Sequence, residues 1–328
     1  MRVGIIGAGF FGEKHAQALG EMPGFSVVAA SRTGEAAAQE FADQYGGAPY
    51  TRYEDVLADP NVEAVLIATP HATHEEIAVA AAAAGKHTLL EKPMAHDLAA
   101  CKAVATAFRG GPALLIGHVS RFSRAFRMAK EMIEVGEIGE VVSAHASMRK
   151  RWFEPNRRHW HQDRSLGGGV LLTGGVHALD RLMWLVDQPV SAVSAVVQTR
   201  FHDQPADDFG VLFLRFAEGA SGVVNSIGYA TGVPNHDTEI IDTEGILRVH
   251  SVTGVSVGKD ETWRDVPNSG DPNWLQPALQ MQWRELASAA HRSEATPIDA
   301  VEGLRVMNVL FRAEESARAG AELPLEAV

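Results

Sequence analysis

The sequence predicts an α/β protein in two parts: a doubly wound parallel sheet over residues 1–119, then an α+β domain over residues 120–328 with a mostly antiparallel sheet. Three observations lead there. Up to residue 117, short apolar runs alternate with helical stretches, the pattern of crossover units on a parallel sheet. Beyond residues 117–122, extended segments punctuated by Gly, Asp, Asn and Pro dominate. A length of 328 residues also suits ~2 domains better than one.

The elements follow in order. Residues 2–6 form a short buried strand, a glycine turn follows, and residues 10–19 are helical. A second strand at 25–30 leads to an Ala-, Glu- and Gln-rich helix at 34–44. Residues 64–68 form a third strand, closed by Thr69-Pro70, and 74–84 a helix stopped at Gly85. A fourth strand at 87–90 runs into Glu91-Lys92-Pro93, followed by a helix at 97–108 and a fifth strand at 113–116. In the second part, strands are expected at 141–148, 190–199, 210–216, 221–226, 238–243, 246–250 and 254–257. Helices are expected at 123–135, 175–186, 277–291 and 301–319.

Composition narrows the class. The net charge is -12, which repels nucleic acid and anionic lipid and leaves neither as an expected partner. The single cysteine, Cys101, cannot form an internal disulfide, and no run of ~18 apolar residues or signal-peptide core occurs. The expectation is a cytoplasmic protein without a membrane span.

The turn reads Gly7-Ala8-Gly9-Phe10-Phe11-Gly12. Between a strand and a helix, this spacing is the dinucleotide fingerprint. Gly7 makes the tight turn, Gly9 lets the backbone approach a pyrophosphate, and Gly12 lets helix pack on strand. Phe10 and Phe11 belong to the same cradle, and the helix N-terminus offers N–H groups to phosphate. At the end of the second strand, an Asp or Glu would hold the ribose of NAD. Here stand Ser31-Arg32-Thr33. Arg32 suits a 2′-phosphate, and Ser31 and Thr33 add hydroxyls, so NADP is expected over NAD. A merely solvated Arg32 is the bland alternative. Lys92 ends the fourth strand, where ligands of open α/β sheets lie, and so can reach the nicotinamide end.

With these residues in view, the chain resembles the Gfo/Idh/MocA oxidoreductases along essentially its whole length. The resemblance rests on the glycine turn with His15, Ala68-Thr69-Pro70 with His74, Gly85-Lys86-His87 leading to Glu91-Lys92-Pro93, residues 117–122, and the run from Gly167 through Thr173 and His177 to Asp180. It implies an N-terminal Rossmann domain and a C-terminal open sheet that walls the substrate cleft and often an oligomer interface. It also implies a catalytic Lys92, and cofactor contacts from Thr69, Pro70, His71, His74, Glu91 and Pro93. A homodimer or homotetramer follows from the family, not from these residues.

Thr173 and His177 are four apart and share a helical face. The resemblance makes His177 the proton acceptor, a role its titration range suits, with Lys92 stabilising the alkoxide. Thr173 stands where the family commonly has Asp and can supply only hydrogen bonding. Asp180 could partly substitute, although a structural ion pair is the plainer role. A basic, aromatic stretch including Arg149, Trp160 and His161 is either a solvated loop or a cleft lining, with Arg121, Tyr229 and His236 as weaker substrate candidates. His159 and His161 lack a third ligand partner, so no metal is expected. The expected activity is hydride transfer between a nicotinamide and a secondary alcohol or ketone of a sugar, cyclic polyol or derivative. Alternatives are a redox-assisted glycosidase or lyase with retained cofactor, and a non-catalytic nucleotide-binding sensor.

Overall fold

The computed structural model describes residues 1–154 and 157–326. The chain divides into two compact units, one of Met1–Val119 with Leu275–Leu304, the other of Ser120–Trp274 with Arg305–Val328.

The first unit alternates β1 (Arg2–Ile6), α1 (Phe10–Gly20), β2 (Ser26–Ser31), α2 (Glu35–Tyr45), β3 (Ala48–Tyr50), α3 (Tyr53–Ala58), β4 (Ala64–Ile67), α4 (His74–Ala83), β5 (His87–Leu90), α5 (Leu98–Phe108) and β6 (Leu114–Ile116). Its sheet has the order β3-β2-β1-β4-β5-β6, with every pair parallel. Strand order reverses between β1 and β4, which makes that point the ligand crevice of a doubly wound sheet. β4 reads Ala-Val-Leu-Ile and is buried throughout, as a strand covered on both faces requires. Asp97 caps α5 by accepting the Ala100 N–H at 2.8 Å.

The second unit contains α6 (Arg124–Glu134), β7 (Val141–Arg151), α7 (Val176–Val186), β8 (Val190–Gln198), β9 (Phe209–Phe216), β10 (Ser221–Tyr229), β11 (Thr238–Asp242), β12 (Gly245–His250), β13 (Gly254–Lys259) and β14 (Thr262–Asp265). The chain then supplies α8 (Leu275–Arg292) to the first unit, and ends with α9 (Ala300–Ala319) and β15 (Leu323–Pro324). The nine-stranded sheet has the order β14-β13-β12-β11-β7-β10-β9-β8-β15, antiparallel except where β7 pairs with β10. Along β10, buried Gly222, Val224, Ser226 and Gly228 alternate with half-exposed residues, and Leu182 of α7 packs on Gly222.

Four short elements escape the sequence reading: β3, α3, β14 and β15. β3 carries Pro49, and β14 is exposed along its length, so neither shows an apolar period. The helix expected from 175 is preceded by a π-helical turn at Leu171–Gly175. A boundary drawn at 119/120 has no place for the return of Leu275–Leu304 to the first unit. Among the described residues, no helix is long and apolar enough to cross a membrane.

Candidate active site

The glycine turn is built as its chemistry demands. Gly7 has φ +89°, and a Cβ there would lie 2.5 Å from the Ala68 carbonyl oxygen, because the end of β4 presses against it. A Cβ on Gly12 would lie 2.6 Å from the Gly7 carbonyl. Gly9 has no atom within 4 Å of its would-be Cβ, so it opens onto free space at the N-terminus of α1. No side chain caps that terminus. A bare helix end beside an open glycine fits the diphosphate of a dinucleotide. The N–H groups of Gly7 and Ala8 donate to the Ser31 carbonyl at 3.2 and 3.0 Å, tying the turn to the end of β2. Phe10 is exposed, and Phe11 meets the His15 ring edge-on.

At the end of β2, Ser31 is buried, Thr33 is exposed, and Arg32 lies 3.8 Å from Glu13 in the first turn of α1. No carboxylate occupies the positions following β2.

Lys92 follows β5 on a backbone held from both sides. Its N–H donates to the Glu91 carboxylate at 3.2 Å. Glu91 in turn faces the His15 Nε2 at 3.1 Å, and a Cβ on Gly117 would lie 2.9 Å from its Oε1. Trp283 of α8 donates its indole N–H to His15 Nδ1 at 3.0 Å. Beyond Lys92, a cis peptide joins it to Pro93, whose carbonyl lies 2.9 Å from His74 Nδ1. His74 Nε2 lies 3.0 Å from the Thr69 carbonyl. The ring of His74 therefore joins the turn after β4 to the turn after β5, and burial holds its pKa below the ordinary histidine value. Thr73 donates to the Thr69 hydroxyl at 2.8 Å. His71 is buried at the start of the same short turn, after Pro70. Sequence reasoning missed Trp283, since nothing near it marks a partner for His15.

In the second unit, Thr173 lies in the π-helical turn and His177 in the first turn of α7. Asp207 braces that segment: its carboxylate accepts the Leu171 N–H at 2.8 Å, and its carbonyl accepts the Val170 N–H. Gly169 has φ +100°, and a Cβ there would collide with the Asp207 carboxylate. Burial pushes the pKa of Asp207 up to about 7.

The remaining candidates divide. Arg121 is buried and grips Asp180 with two nitrogens at 2.9 and 2.7 Å, so Asp180 has the structural ion pair. Arg149 forms an isolated bridge with Asn235. Trp160 stacks on His161, whose Nδ1 accepts the Arg158 N–H at 3.0 Å. Tyr229 ends β10 with its ring against Phe201. His236 precedes β11, its Nε2 buried and without a hydrogen-bond partner among the described residues. Also among the described residues, no group of three His, Cys, Asp or Glu side chains could hold a metal ion.

Known proteins match this architecture. Residues 1–116 match the model of the Gfo/Idh/MocA oxidoreductase family, NAD-binding Rossmann fold, and residues 126–248 match the C-terminal domain of the same family. Levoglucosan dehydrogenase from Pseudarthrobacter phenanthrenivorans is 33% identical over 285 residues, covering 75% of this chain and 73% of that protein. The scyllo-inositol 2-dehydrogenase (NAD+) of Bacillus subtilis is 29% identical over 257 residues, covering 75% and 73%. A solved structure of levoglucosan dehydrogenase in complex with NADH superposes with a TM-score of 0.91 at 25% identity, covering the whole of both chains. With both domain patterns matched in order, the chain belongs to the Gfo/Idh/MocA oxidoreductases, and its first unit is their NAD-binding Rossmann domain.

Proposed function

We propose that this oxidoreductase moves a hydride between nicotinamide C4 and a secondary alcohol or ketone of a sugar, a cyclic polyol or a derivative of one. The observation that carries the reading is the clamp on Lys92: Glu91 and His15 hold the backbone on one side and His74 holds Pro93 on the other. A catalytic ammonium needs a fixed origin at the carboxyl end of β5, and the clamp supports one. The relatives named for levoglucosan and inositol support the substrate class.

The bound nicotinamide supplies the hydride acceptor or donor. The chain's residues handle the proton. Oxidation of a carbinol releases one hydride and one hydroxyl proton. Lys92 stabilises the alkoxide as it forms, and His177 takes the proton; in the reverse direction His177 returns it to the carbonyl oxygen. Thr173 contributes a hydroxyl for orientation, without a charge to steady an imidazolium.

The dinucleotide is NADP in preference to NAD on this reading. Ser31, Arg32 and Thr33 offer hydroxyls and a guanidinium where a carboxylate would repel the 2′-phosphate. The oligomer is a dimer or tetramer, supported by half-exposed Val196, Val211 and Phe213 on the outer face of the second sheet. One experiment tests the core of the reading. A panel of sugars and polyols is incubated with NAD and NADP, and reduced cofactor is followed by absorbance. A substrate-dependent signal that disappears in Lys92→Ala is expected; a signal undiminished in that variant sinks the assignment.

A further inference from the structure

The face of the second sheet beneath the His177-bearing helix carries one positive charge more than it neutralises. Gly174 packs on Met148 of β7, and Gly175 packs on Ser226, the residue paired with Met148 in β10. One pleat further along β7, on the same face, stands Lys150. The bridge between Arg149 and Asn235 brings the segment before β11 alongside, and His236 there is near enough for Lys150 and Arg181 to act on it electrostatically. The Lys150 side chain is 22% exposed and so open to a ligand.

Charge accounting on this face is short. Lys150 Nζ lies 2.8 Å from the Glu154 carboxylate, and Arg157 lies 3.2 Å from the same carboxylate oxygen. Two cations thus share one anion. Arg157 also stacks over the buried Trp152 ring and donates to the Trp152 carbonyl, so it is fixed in place. Nearby, Arg181 is balanced by Asp180 and Asp237, but Asp180 is gripped by Arg121. Setting Arg121, Arg157, Arg181 and Lys150 against Asp180, Asp237 and Glu154 leaves one positive charge. His236 does not add to it: burial and the neighbouring Arg181, Lys150 and His250 hold its pKa down at about 4.

We propose that the substrate carries a carboxylate, received by Lys150 and His236 on the face beside His177. This deepens the hydride-transfer reading and rests on it. A single surplus charge suits a monoanion better than a dianionic phosphate. The buried Nε2 of His236 has no hydrogen-bond partner among the described residues, and a carboxylate oxygen would give its N–H one. The loss of a family aspartate at Thr173 acts in the same direction, removing a negative charge that an acidic substrate would meet. The acid is a sugar acid or a carboxylated polyol.

The test reads binding, not turnover, so it stands apart from the hydride-transfer assay. The full-length protein, saturated with NADP or NAD, is titrated calorimetrically with glucuronate against glucose, galacturonate against galactose, and glucose 6-phosphate. At least one acid is expected to bind about tenfold more tightly than its neutral partner and than the phosphate, as one charge-assisted contact provides. Lys150→Gln should erase that preference and Lys150→Arg should keep most of it. Equal or tighter binding of the neutral sugars, tighter binding of the phosphate, or no binding by any acid overturns the proposal. So does an acid preference that survives Lys150→Gln, or one lost equally in Lys150→Arg, which would mean lost packing and not lost charge.

Discussion

Trp283 fixes the tautomer of His15. An indole nitrogen only donates, so His15 Nδ1, 3.0 Å away, must accept. The ring proton then sits on Nε2 and donates to Glu91 at 3.1 Å. Glu91 accepts the Lys92 N–H in turn, so a side chain from α8 governs the backbone that carries the proposed catalytic lysine. Trp283→Phe removes the only donor on that indole and leaves His15 Nδ1 buried without it. Folding stability should fall by about 2 kcal/mol, read from denaturant midpoints at unchanged slope. An unchanged midpoint would mean that the chain of contacts carries no strain.

His177→Ala separates chemistry from binding. Turnover should drop by about 10²–10⁴-fold, while NADP or NAD affinity, measured by fluorescence titration, stays within about twofold. Turnover at the parent level would move the base to another residue.

Arg32 decides the cofactor. In the parent protein NADP should bind more tightly than NAD. Arg32→Ala should weaken NADP by about tenfold, a charge-assisted contact, and leave NAD nearly untouched. Glu13 lies 3.8 Å from Arg32 and competes for it, so Glu13→Gln should strengthen NADP binding. Equal affinity for both dinucleotides in the parent would refute the preference.

Asp242 makes stability fall as the pH rises. Neither of its carboxylate oxygens has a hydrogen-bond partner among the described residues, and burial pushes its pKa up to about 7 from 3.8. The folded state therefore holds a proton that the unfolded state has released. Asp242 favours folding fully below its unfolded value, and that contribution is lost between about pH 4 and 7. Asp242→Asn should flatten this stretch of the stability curve and stabilise the protein by about 1 kcal/mol at pH 8, checked by urea unfolding across the range. A variant whose curve keeps the parent's slope would place the charge in solvent.

The parts of the site that could be read from sequence are those whose chemistry is local. Gly7, Gly9 and Gly12 declare themselves because a turn, an open approach and a close helix–strand contact each forbid a Cβ within a few residues. Asp97 caps α5 three residues away. Other features depend on distant partners. His15 and Trp283 stand 268 positions apart, and Asp207 reaches back 36 residues to the Leu171 N–H. No periodicity encodes such pairs. Arg164, read as part of a basic stretch, is held by both oxygens of Glu314, 150 residues later. Short edge strands such as β14 leave no pattern either, because four exposed residues bury nothing that alternates.

The return of Leu275–Leu304 to the first unit has a consequence for synthesis. When the ribosome has released residues 1–119, every strand of the first sheet exists, yet the sheet is unfinished. Ile116 still lacks the Ile298 carbonyl that accepts its N–H at 2.8 Å, and His15 lacks its tryptophan. Domains generally fold as units, N-terminal first, as the chain emerges. Here the earliest-made unit is completed by some of the last residues to appear, after the whole nine-stranded sheet save β15 has been translated. Nicotinamide binding is thereby tied to near-complete translation, and a message cut short before α8 yields a nucleotide cradle without its back wall.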